Sequence, residues 1–151
     1  MATGPRPPSV PTAFPAHGAV DQSVAPVPGG RVVYIEATGP FNREMVDVVR
    51  ATHTPTFRDA AALGPFGHIS TFHESMLATP DAFAAFTALL ADWKAMGILP
   101  TASAYVVGPE VEGRVFVEAH YRRAWECSPF EIFECRDDAE AWIARMLARP
   151  A

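Results

Sequence analysis

The chain has 151 residues, about the length of one domain, and its 49% hydrophobic and 19% charged residues make a globular composition rather than a disordered one. A formal net charge of −5 and a mean hydropathy of +0.07 exclude a broad basic footprint for nucleic acid or anionic lipid. No apolar run approaches the roughly 20 residues that cross a bilayer, so membrane insertion is not expected.

Residues 1–18 are expected to form a Pro-rich flexible tail, because proline fixes φ and removes backbone donors. The stretch has no basic segment leading into a continuous apolar one, and its single Arg6 is too little for a mitochondrial-type presequence. A cytoplasmic location is the resulting expectation. Cys127 and Cys135 lie eight positions apart, a spacing that fits neither a redox nor a zinc motif. Both are expected reduced and partly packed.

Residues 31–37 are β-branched and aromatic and predict a strand, with Pro28-Gly29-Gly30 as the turn before it. A hairpin partner falls near Ala19–Val24, pushed towards a sheet edge by Pro26. After Gly39-Pro40, Asn42 caps a helix with Met45, Val48 and Val49 on one face, and Pro55 is expected to break or kink it. Phe57–Leu63 then reads as a second short helical piece, and Phe66–Phe72 as the next strand. Thr79, Pro80 and Asp81 mark a helix start, Phe83, Phe86, Leu90 and Trp93 its apolar face, and Gly97 its stop. A strand over Ala102–Val107 leads to a less regular helix over Val111–Cys127. Phe130–Cys135 alternates as a strand, and Asp137 with Glu140 reads as a capping box for a last helix carrying Ala139, Trp142, Ile143, Met146 and Leu147. This alternation predicts an α/β fold: a four- to five-stranded, mostly parallel sheet covered by amphipathic helices, in one domain over residues 19–149.

The hairpin into Val32–Thr38, the start Thr79-Pro80-Asp81-Ala82, and the ending from Phe133-Glu134-Cys135-Arg136-Asp137-Asp138 to Ala139-Glu140-Ala141-Trp142-Ile143 carry a family resemblance. Over residues 19–148 the chain resembles the small bacterial STAS-like (SpoIIAA-like) proteins of uncharacterised function, whose fold is shared by anti-sigma-factor antagonists and lipid-binding CRAL-TRIO domains. The antagonists carry Asp-Ser-Ser/Thr-Gly, with a phosphorylated serine, where the loop enters the next helix. Here that loop reads His73-Glu74-Ser75-Met76-Leu77-Ala78-Thr79-Pro80, and no residue maps onto that serine. The resemblance implies the fold and not a kinase-controlled switch.

His73, Glu74 and Ser75 follow the carboxyl end of a strand, the edge where open α/β sheets bind ligands. Three readings stand: a solvated loop, a ligand contact, or an acid–base pair lacking a third group to orient it. A ligand site there would comprise His73, Glu74, Ser75, Phe41 and Arg43, and no residue is assigned a catalytic role. His68 and His73, an odd number of positions apart, fall on opposite faces of a strand and are not read as a metal pair. Neither metal nor other cofactor is expected. Every expected helix start carries acid (Glu44; Asp81; Glu110 and Glu112; Asp137 and Asp138), which opposes phosphate, with Arg43 the one exception. Tyr121 and Trp125 beside Arg122 and Arg123 read as a solvated face, while Phe83, Phe86, Trp93, Phe133 and Trp142 read as core. The leading functional expectation is a non-enzymatic regulatory domain acting through a protein partner or as a homodimer. The alternatives are a binder of a small apolar, lipid-like ligand, and an enzyme using His73 and Glu74.

Overall fold

The computed structural model describes residues 18–149. The expected tail falls, apart from Gly18, outside the described residues. Nine elements follow in order: β1 (Ala19–Val27), β2 (Gly30–Thr38), α1 (Arg43–Ala62), β3 (Phe66–His73), α2 (Pro80–Ala95), β4 (Ala102–Val107), α3 (Arg114–Ala124), β5 (Phe130–Phe133) and α4 (Arg136–Ala148). The strands form one mixed sheet in the order β1-β2-β3-β4-β5, antiparallel between β1 and β2 and parallel thereafter. The α/β reading and the mostly parallel sheet hold. Pro26 lies in β1, an edge strand, where its missing donor breaks no ladder on the outer side.

Because the parallel strands follow one another in sequence order, right-handed crossovers all fall on one face of the sheet. Accordingly α1, α2 and α3 share one core with Val33, Ile35, Phe72, Tyr105 and Ile132. Among the described residues only α4, after the last strand, covers the other face, burying Ala139, Ile143 and Leu147 on Val32, Ile69 and Ala104. At Gly67 the helix comes so close that a Cβ would stand 2.5 Å from Ile143 Cγ2. Every residue of β4 is buried, as a central strand covered on both faces requires.

Three helices, α1, α3 and α4, correct the sequence reading. Pro55 does not break α1, which runs through it with Phe57 and Ala60 buried on the face begun by Met45 and Val46. Proline costs a helix interior roughly 3 kcal/mol, but here Ala51 and Pro55 are both exposed, so the carbonyl that loses its donor can meet water. Packing Phe57 against Phe66 and Trp93 offsets the rest.

α3 begins three residues later than expected and ends three earlier. The Glu112 backbone is taken by the loop after β3: its N–H donates to the Glu74 carbonyl (2.8 Å) and its carbonyl accepts from Met76 N–H (2.9 Å). Gly113, at φ +94°, then turns the chain into the helix. Glu110 and Glu112 therefore precede the helix, and α3, unlike α1, α2 and α4, starts without the acid that opposes phosphate. At the other end Trp125 leaves the helix to bury its indole, whose N–H donates to Tyr105 Oη (2.8 Å).

In α4 the N-cap is Cys135, not Asp137, and no side chain caps it. Glu140 does not reach back to complete a capping box. Its Oε2 accepts from Tyr34 Oη (2.8 Å) and Arg136 Nε (3.3 Å), while the Arg136 guanidinium lies 4.3 Å from the Tyr34 ring centroid. These contacts draw the helix back over β2 by two residues. Cys135 is exposed rather than packed; Cys127 is half-buried, and both are free.

Asn42 and Thr79 cap as expected, accepting from Met45 N–H (3.1 Å) and Ala82 N–H (3.3 Å). At Gly97, φ +73°, the N–H groups of Gly97 and Ile98 return to the carbonyls of Lys94 and Trp93, closing α2 in a Schellman turn. No helix among the described residues is long and apolar enough to cross a membrane.

Candidate functional site

Strand alternation divides the residues of the expected site. His68, Ser70 and Phe72 face the three-helix side, whereas Ile69, Thr71 and His73 face the side of α4. His73 is exposed, and its Nε2 lies 2.6 Å from Glu36 Oε1 on the neighbouring strand. Glu74 takes a left-handed conformation (φ +65°) that turns the chain, and its carbonyl is held by Glu112 N–H. Ser75 is buried, and its hydroxyl accepts from Leu77 N–H (3.0 Å). Phe41 packs edge-on to Phe72, on the opposite face of the sheet from His73, and is tied by backbone bonds to Leu77 and Thr79. Arg43 is exposed at the start of α1, where its charge helps hold the Asp81 carboxyl low; the larger cause is the hydrogen bond from Thr79 Oγ1. Only Phe41 of the five meets the cavity described next.

That space is a cavity of about 90 Å3 between the sheet and α1–α3. Its floor is formed by Ile35, Phe72 and Tyr105 from the strands, and its walls by Met45 and Trp93 from the helices and Trp125 just after α3. Phe41, Val49, Phe83 and Phe86, all partly exposed, surround its outer side. The aromatic rings interlock: Phe57 lies 4.5 Å from Trp93, Phe72 4.7 Å from Tyr105, and His68 stacks on Trp125 at 5.4 Å.

The polar groups of this lining divide into satisfied and orphaned ones. Trp93 Nε1–H donates to Thr54 Oγ1 (2.9 Å), Trp125 Nε1–H to Tyr105 Oη, and Tyr121 Oη–H to the Met76 carbonyl (3.0 Å). His68 Nε2 pairs with Ser70 Oγ at 2.6 Å. The Nδ1 atoms of His53 and His68 have no partner, although both residues are only 2% exposed and line the cavity. Burial lowers the pKa of His53 to about 4. It also lowers that of His68, to about 3, with the neighbouring His53 as a lesser cause. At neutral pH both rings are uncharged. Burial likewise raises the Tyr105 and Tyr121 hydroxyls, so the lining carries no charge near neutrality.

Sequence reading assigned these histidines no such place. The signal for His53 lies in the helical spacing 46-53-57-60, which becomes visible only when α1 is allowed to continue through Pro55. Tyr121 and Trp125, read as a solvated face, are 5% and 1% exposed. Arg122 does lie at the surface, bonded to Glu118 (2.9 Å) and 3.4 Å from Glu131. Of the aromatics read as core, Trp93 is buried, while Phe83, Phe86, Phe133 and Trp142 are partly so. A wider groove of about 230 Å3 lies outside, beside Gly108, Gly113 and Glu134, next to the exposed Val115 and Phe116.

No protein-family model matches the chain, and no curated protein does. Among solved structures, the chain is similar to an uncharacterised protein of the DUF3478 family with a SpoIIAA-like fold, from Shewanella loihica. The TM-score is 0.55 at 17% identity, over 83% of this chain and 94% of that one. The fold is therefore SpoIIAA-like, as the sequence resemblance implied. At this identity the likeness concerns the fold alone.

Proposed function

We propose that this chain is a non-enzymatic binding domain whose ligand is a small, largely apolar molecule held between the sheet and α1–α3. The observation that carries this reading is the aromatic cavity with its two partnerless imidazoles. Interiors are normally close-packed and their polar atoms paired, so unfilled space beside orphaned nitrogens calls for an occupant. A volume of about 90 Å3 suits a molecule of a few heavy atoms, or the end of a longer chain passing the partly exposed rim. A reaction at His73 and Glu74 is less favoured, because His73 is paired with Glu36 while the Ser75 hydroxyl serves Leu77 N–H on the buried side. The two free cysteines suit a reducing compartment such as the cytoplasm.

Xenon tests the reading, since it enters dry protein cavities without needing a polar partner. Its titration should shift the indole N–H signals of Trp93 and Trp125 saturably and leave the Trp142 indole, on the other face, unmoved. A uniform, unsaturable drift of all three would overturn the proposal.

A second reading, association with a protein partner or a second copy of the chain, is favoured by one observation. Val115 and Phe116 are 91% and 79% exposed side by side at the start of α3, beside the outer groove.

A further inference from the structure

Among the described residues the cavity lining contains no Lys, Arg, Asp or Glu, and its only orphaned polar atoms are the Nδ1 nitrogens of His53 and His68. A buried polar atom without a partner costs about 1–3 kcal/mol, so each imidazole places a demand on whatever fills the space. We infer that the occupant carries a neutral hydroxyl group, as in a short-chain alcohol, which hydrogen-bonds to Nδ1 of His53 or His68 while its hydrocarbon part packs on the aromatic walls. This inference rests on the cavity being a ligand site.

The chemistry of the two rings selects the hydroxyl. A neutral imidazole has one donor and one acceptor nitrogen. If Ser70 donates to His68 Nε2, then Nδ1 of His68 carries the proton and seeks an acceptor; if Nε2 donates to Ser70, Nδ1 seeks a donor. A hydroxyl satisfies either tautomer with the same atom. A carboxylate satisfies only the donor form and enters without a counter-charge, and an ammonium only the acceptor form with the same penalty. An alkane satisfies neither. Size sets the other limit, since the cavity is smaller than the ~150 Å3 apolar cavity that holds benzene. A four-carbon alcohol therefore places only its hydroxyl end inside, with the rest of its chain reaching the partly exposed rim at Phe41 and Phe83.

The test uses the full chain at neutral pH and probes sharing one carbon skeleton: 1-butanol, butyrate and n-butylamine, with xenon as the apolar reference. 1-Butanol should move the same Trp93 and Trp125 signals as xenon and, unlike xenon, shift the imidazole Nδ1 resonance of His53 or His68. Butyrate and butylamine should bind at least about tenfold more weakly. In His53→Phe or His68→Phe, 1-butanol should weaken about three- to tenfold more than xenon does, because the bulkier ring crowds both probes but removes the hydrogen bond from 1-butanol alone. Should neither variant fold, the wild-type series decides alone. Butyrate or butylamine binding as tightly as 1-butanol would overturn the inference, as would 1-butanol leaving both Nδ1 resonances in place. If xenon enters and 1-butanol does not, the hydroxyl falls and the cavity reading stands. If neither enters, both fall, and the imidazoles are served by water alone.

Discussion

Tyr121 reaches from α3 across the cavity to the loop after β3, where its hydroxyl donates to the Met76 carbonyl at 3.0 Å. Its ring meets Phe83, Phe72 and Tyr105 at centroid distances of 4.9, 5.8 and 5.4 Å. Tyr121→Phe keeps those ring contacts and removes one buried hydrogen bond, leaving a carbonyl acceptor unserved. The expected loss is about 1–2 kcal/mol, read as a lower urea midpoint at constant slope. An unchanged midpoint would mean that the Met76 carbonyl finds another donor. That this tyrosine is structural was hidden in the sequence by Arg122 and Arg123, whose charge drew the whole segment towards solvent. A helix of this pitch separates neighbours by about 100°, so residues 121, 124 and 125 can be buried beside arginines that are not. Only the spacing 117-121-124, continuing to Trp125, carries that information.

At the level of elements, legibility depended on whether a boundary is fixed by local chemistry or by a distant contact. The starts of α1 and α2 were readable because Asn42 and Thr79 cap their own helices. The starts of α3 and α4 were not, because Glu112 is claimed by Glu74 and Met76, and Arg136 by Tyr34. The seating of α4 is similarly non-local: Gly67 reads as an unremarkable glycine in a strand, yet it is where Ile143 meets the sheet. A methyl group at Gly67 would collide with a side chain that is only 1% exposed and cannot swing into solvent. Gly67→Ala is expected to cost about 1–3 kcal/mol by overpacking, and Ile143→Ala about 2–5 kcal/mol by leaving a cavity. In the double variant the new methyl occupies part of that cavity. Its loss should therefore fall short of the sum of the two by at least about 1 kcal/mol in denaturant melts. Strict additivity would place α4 elsewhere on the sheet.

For the molecule as a whole, the mostly parallel sheet followed from alternation, but the cavity did not. It arises where rings from five elements and two loops fail to fill the space between them, and no local pattern records a failure of packing. Its two buried imidazoles nevertheless have a global consequence. In the unfolded chain both rings return to a pKa near 6.5, whereas folded His53 and His68 titrate at about 4 and about 3. As pH falls below about 6.5 the unfolded chain takes up protons that the folded chain refuses. Stability is therefore fully present above that pH and is lost on acidification. Each ring contributes on the order of 3 kcal/mol by the time pH 4 is reached, a large share of the 5–15 kcal/mol typical of a domain. Carboxylates act in the same direction but later. Hydrogen bonds and charge from Arg114 and Arg122 hold Glu118 low, and Thr79 does so for Asp81. Unfolded carboxyls titrate only near pH 4, so above about pH 5 the slope belongs to the histidines. The urea midpoint should accordingly drop steeply between pH 7 and pH 5, and His53→Phe or His68→Phe should each remove roughly half of that slope. A midpoint flat across this interval in the wild-type chain would show that both rings keep ordinary proton affinity. They would then lie in contact with water rather than shielded by Phe41, Phe83 and Phe86.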